Sequence, residues 1–137
     1  MVSDSIKLYE MAQNGLFNLK AFQLLVRICL TDMASDMFTY MSMLEHYDRK
    51  TEAVLIKGYR TDIFEARDDF GRNKMLLSEV CTLLRETHLK LQVHVAMLRT
   101  IDGREWEAGI FQSVVNDMPN FWHYVKDIPN NLNQVEQ

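Results

Sequence analysis

Apolar residues along this chain recur at steps of three and four, the period of helices, and no segment alternates at the step of two that marks a half-buried strand. The longest such series is Phe22, Leu25, Cys29, Met33, Met37, Tyr40, Leu44 and Tyr47. Val26, Leu30, Ala34, Phe38 and Met41 widen it on one side, while Gln23, Arg27, Thr31, Ser35, Thr39 and Ser42 fall opposite. A stripe this broad serves two neighbours, so the pattern predicts a long amphipathic helix near 19–48 at the centre of a bundle.

Punctuation supplies the other elements. A first helix is predicted from Ser3 to Gln13, ended by Asn14-Gly15, with Asn18 capping the central helix and Phe17 stapled to Phe22. After a break near 49–51, with Thr51 or Thr61 as the next cap, an apolar residue returns every seventh position at Ile56, Ile63, Phe70, Leu77, Leu84, Leu91 and Leu98. Gly71 divides that register into two helices, the second capped by Asn73. Asp102-Gly103-Arg104-Glu105 reads as a turn and capping box, opening a helix that Pro119 is expected to stop near Asp117. Asn120 is then expected to cap a last short helix reaching Asp127. The expected fold is all-α: an antiparallel helical bundle of five to six helices, one domain over 1–129 with a flexible polar tail over 130–137.

Composition adds limits. A chain of 137 residues that is 47% hydrophobic can bury a core, but it has no run approaching the roughly 20 apolar residues of a membrane span. Even Ala21 to Leu30 is interrupted by Gln23 and Arg27, so no membrane partner is expected. Met1 to Glu10 carries Asp4, Lys7 and Glu10 where a secretory signal needs an apolar run, which points to a soluble protein of the cytoplasm. Cys29 and Cys81 fall at helical apolar positions and read as reduced core residues. Residues 102–137 hold two bases and six acids, which accounts for the whole net charge of −4. Lys and Arg are interspersed with acids throughout, so the charge pattern does not favour nucleic acid. The most basic stretch, with Arg49, Lys50, Lys57, Arg60, Arg67, Arg72 and Lys74, shares residues 48–74 with six acids.

Candidate chemistry is sparse. Asp69-Phe70-Gly71 matches the metal-binding tripeptide of kinases, but the chain has no Gly-rich loop, no catalytic loop and too few residues for that fold. None of His46, His88, His94 or His123 has Glu three residues before it, so the di-iron pattern of helical bundles is missing. His88 and His94 lie beside the Leu84, Leu91, Leu98 seam and read as core histidines hydrogen-bonded to backbone or a neighbour. Glu45-x-x-Asp48 and Glu65-x-x-Asp68 each set two acids on one helical face, as chelation of magnesium on a triphosphate requires. This arrangement resembles the all-α nucleoside triphosphate pyrophosphohydrolases, with Asp48 where that family has Glu. The resemblance covers about a sixth of the chain and implies metal ligation by Glu45, Asp48, Glu65 and Asp68. The polar and charged neighbours Tyr47, Arg49, Lys50, Arg67 and Asp69 fit instead a solvated face, and acids at this spacing occur about as often as chance placement gives.

Trp106, Phe111, Phe121, Trp122 and Tyr124 gather within twenty residues and are candidate anchors for a partner. Nine methionines offer an adaptable apolar surface. The expected function is therefore a non-enzymatic helical protein–protein interaction module without a cofactor: a self-associating adaptor, a small chaperone or a partner-binding inhibitor. Its partner is another protein or a second copy of itself, as a dimer or higher oligomer. A magnesium-dependent pyrophosphohydrolase and a nucleic-acid-binding helical protein are the alternatives.

Overall fold

The computed structural model describes residues 19–125. Four helices follow one another: α1 (Leu19–His46), α2 (Lys50–Gly71), α3 (Leu77–Arg99) and α4 (Glu105–Val125), with no strand among the described residues. The expected helix from Ser3 to Gln13, its Asn14-Gly15 stop, the Phe17 staple, the Asn18 cap and the tail over 130–137 lie outside the described residues.

Short connections force successive helices to run antiparallel, and side-chain contacts give the register. The start of α1 meets the end of α2 where the rings of Phe22 and Phe70 lie 6.4 Å apart. The last third of α1 meets α4 where Tyr40 stacks on Phe111 at 3.8 Å. The helices thus form a ring in which α4 closes against α1. The sevenfold series forms the centre of this ring: Ile56, Ile63, Phe70, Leu77, Leu84, Leu91 and Leu98 are all buried. So is most of the broad stripe of α1, from Phe22 through Val26, Leu30, Ala34 and Met37 to Leu44. Its width is consumed by α2 and α4, and only Phe38 and Tyr47 of the expected stripe and flank stay exposed.

Asp48 and Asn73 are the two described non-glycine residues in the left-handed region, at φ 61° and 59°. Each ends a helix. At the first turn the Arg49 N–H donates to the Leu44 carbonyl and that of Asp48 to Glu45; at the second, Lys74 donates to Asp69 and Asn73 to Phe70. These paired bonds are Schellman closures, which need one left-handed residue, and Asp and Asn accept that conformation best after Gly. Asn73 therefore does not cap α3 as expected. It closes α2, and α3 begins after Leu76, whose N–H is taken up by the Glu79 carboxylate at 2.9 Å. Neither Thr51 nor Thr61 caps α2: Arg49 stands at that position without a side-chain bond, and the Thr61 hydroxyl donates to the Lys57 carbonyl inside the helix. At the last turn Gly103 takes φ 84° and its N–H reaches the Glu105 carboxylate, a bond from within the turn rather than the full capping box expected from Asp102.

Pro119 does not stop α4 near Asp117, and Asn120 caps no separate helix; α4 runs through both to Val125. A proline inside a helix costs roughly 3 kcal/mol, because it lacks an N–H and crowds the carbonyl four residues back. Against this, Met118, Phe121 and Val125 continue the buried face of Phe111 and Val115, and burying each large side chain contributes about 1.5–3 kcal/mol. The freed carbonyl is that of Val115, and it finds a partner: the His88 ring of α3 hydrogen-bonds to it. The two short segments expected after 104 are thus one helix, and four helices stand among the described residues.

Candidate functional site

The expected metal ligands are not brought together. Glu45 lies in the last turn of α1 and Asp48 in the turn that follows, the latter 3.8 Å from Lys50. Glu65 and Asp68 are some fifteen residues further along α2, roughly 22 Å at the helical rise, with Asp68 bonded to Arg67 at 3.1 Å. Among the described residues no group of three or more His, Cys, Asp or Glu side chains is placed to hold a metal ion.

The aromatic cluster also divides. Phe111 and Phe121 are fully buried and belong to the core, Trp122 is half-buried against His88 and Arg85, and Trp106 is exposed beside Tyr47 at 5.3 Å. The side chain of Tyr124 lies outside the described residues. Of the five expected anchors, Trp106 alone is described as exposed. Two of the basic side chains of α2 are committed to contacts as well: Arg60 lies over Phe38 and Phe64, and Arg67 over Phe64 and against Asp68.

Two features that sequence reasoning missed lie next to each other near one end of the bundle. The first is a buried polar network. Arg104, in the α3–α4 connection, holds Glu52 of α2 through two bonds of 2.6 Å and Glu107 of α4 through bonds of 2.6 and 3.1 Å. Glu107 is wholly buried, and Arg49 approaches it at 3.5 Å. A planar guanidinium with five donors suits two carboxylates at once, and removing either partner leaves a charge stranded in the interior. The bond from Arg104 holds the Glu52 carboxyl below its ordinary range. In turn, the bonds from both acids hold the Arg104 guanidinium above its own.

Beside this network the Tyr40 hydroxyl and His94 Nε2 are 2.9 Å apart, both side chains buried and both packed on Phe111. Burial pushes the Tyr40 phenol up, and the charges of Glu52 and Glu107 add to this. Burial also pushes the His94 imidazole down, opposed by the field of Glu52. Among the described residues the Arg49 Nε is buried without a hydrogen-bond partner. The Arg104 bonds tie α2 to α4, and the Tyr40–His94 bond ties α1 to α3.

The second feature is a groove between α2 and α3. Leu55 and Tyr59 form one wall, Leu89, Val93 and Met97 the other, and His94 lies at its base. The groove encloses about 360 Å³. Its walls are apolar yet open: Leu89 and Val93 are each 63% exposed, Leu55 45% and Met97 42%. The cause is geometric. Leu91 and Leu98 point to the core seam, whereas Leu89, Val93 and Met97 recur at every fourth residue along a second line of α3 that no described helix covers. That second line was visible in the sequence, but nothing there distinguished it from a core face.

Fold and site together define a helical bundle with an open apolar groove between two neighbouring helices. Comparison of the sequence with protein-family models, with curated proteins and with solved structures gives no significant match, so the functional reading rests on the chain's own residues. No described helix is long and apolar enough to cross a membrane.

Proposed function

We propose that this protein is a non-enzymatic interaction module whose α2–α3 groove receives a helix from a partner protein. The observation that carries this reading is the line of Leu89, Val93 and Met97, large apolar side chains held 42–63% exposed on an ordered helix opposite Leu55 and Tyr59. Exposed apolar surface of this kind, walled by two helices, is the receiving half of helix-in-groove recognition. An inserted helix would meet wall residues one turn apart on both sides, as a third strand of a coiled coil does. The openness of the groove suits a helix better than a small molecule, which binding pockets enclose over most of its surface. The buried network supports the same reading: it ties the helices together near the groove's base, so the walls are presented rigidly.

The reading is tested by panning a display library of random helical peptides on the wild-type protein and on Val93→Asp. Enriched peptides are expected to share apolar residues at i, i+4 and i+7, and to lose binding to Val93→Asp while circular dichroism of that variant stays helical. Enriched peptides that bind the variant equally well, or no enrichment at all, overturn it.

A further inference from the structure

We infer that the helix received by this groove carries a carboxylate beside its apolar stripe, and that Lys90 is the group that reads it. This assignment rests on the reading of the groove given above and adds the chemistry of the partner. Lys90 belongs to the groove lining, its Nζ 5.8 Å from the centre of the Tyr59 ring on the opposite wall. The cation thus spans the groove rather than pointing away from it. Among the described residues no carboxylate forms an ion pair with Lys90, whereas Arg49, Lys50, Arg67 and Arg104 each have one. The lining itself contains no acid.

Two consequences follow from that charge pattern. A second copy docking groove to groove across a two-fold axis brings two ammonium groups into the contact and no carboxylate from either lining, so the groove does not complement itself. A partner of opposite sign does complement it: the apolar stripe fills the space between Leu55 and Val93, and a flanking Asp or Glu meets Lys90 where the apolar walls reduce screening by water. A cation placed over an aromatic ring between apolar walls also discriminates against a basic helix, since a second positive charge there is repelled.

The test uses two synthetic helical peptides with the same apolar residues at i, i+4 and i+7, one with Glu and the other with Lys at the flanking positions. Their binding is followed by fluorescence anisotropy on the wild-type protein, Lys90→Glu and Leu89→Asp. The wild type is expected to favour the Glu peptide about fivefold, the upper end for an ion pair still reached by water, with the margin shrinking as salt is added. Lys90→Glu is expected to reverse the preference, and Leu89→Asp to lose both peptides.

Equal binding of the two peptides to the wild type, with both lost in Leu89→Asp, overturns the acidic partner and leaves the groove standing. A preference for Glu that persists in Lys90→Glu likewise removes Lys90 from the assignment. Binding of neither peptide to the wild type, or binding of both that survives Leu89→Asp, overturns the groove as well. A dimer mass that Val93→Asp converts to a monomer shows the groove filled by a second copy and overturns the assignment.

Discussion

His94 sits where three kinds of side chain meet: the Tyr40 hydroxyl that shares its hydrogen bond, the Phe111 ring that shields it, and the charges of Glu52, Arg104 and Glu107 behind them. Because burial holds its affinity for protons below that of a free imidazole, the unfolded chain takes up a proton near pH 6.5 before the native protein does. Stability therefore falls as pH drops below 6.5, by at most about 1.4 kcal/mol per pH unit for each such group. His88 is shifted in the same direction by burial, opposed by its bond to the Val115 carbonyl. Denaturant unfolding followed across this range is expected to give a smaller slope for His94→Gln than for the wild type, and a smaller one again for the double variant with His88→Gln. Identical slopes in all three contradict the assignment. A separate loss below pH 4.5 belongs to Glu52, whose carboxylate must be protonated away from Arg104. None of these partners was legible from the chain alone. Arg104 and Glu52 are separated by 52 residues, and Tyr40 and His94 by 54.

The passage of α4 through Pro119 illustrates how an element's length is decided outside the element. Local rules end a helix just before proline, and those rules predicted the stop near Asp117. Two conditions carry the helix onward: Phe121 and Val125 complete its buried face, and the His88 ring replaces the donor that the Val115 carbonyl loses to the proline. A double-mutant cycle reads this directly. His88→Leu alone is expected to cost about 1–3 kcal/mol, the penalty of leaving the Val115 carbonyl buried and unsatisfied. In a Pro119→Ala background the restored N–H serves that carbonyl, so the same change should cost markedly less. Costs that add without coupling in thermal unfolding separate the histidine from the proline. The two Schellman closures make the complementary point: Asp48 and Asn73 stand at turns whose general position was readable, but as terminators of the helix before rather than initiators of the helix after.

At the scale of the whole molecule, the apolar surplus has moved. The broad stripe of α1 is covered by α2 and α4 over most of its length, and of the large apolar side chains described on that helix Leu24 and Phe38 stay exposed. Of the apolar side chains that stay exposed, Leu55, Leu89, Val93 and Met97 gather on the α2–α3 face, whose lining carries a cation and no acid. Light scattering coupled to size exclusion across a hundredfold range of concentration is accordingly expected to give one mass, that of the single chain; a mass rising with concentration points to a second copy as the occupant. By itself the sequence determined the helical class, the long amphipathic helix near 19–48 with its two neighbours and the sevenfold core series, because burial at helical period needs only the identities of residues three, four and seven apart; that this helix is one of four in a ring, and not a central one, was decided by the packing. Tertiary structure alone decided the rest. Which of two apolar lines on α3 faces the core, where Arg104 finds its acids and whether a helix survives its proline all depend on groups distant in the chain, and such partners exist only once the helices have packed.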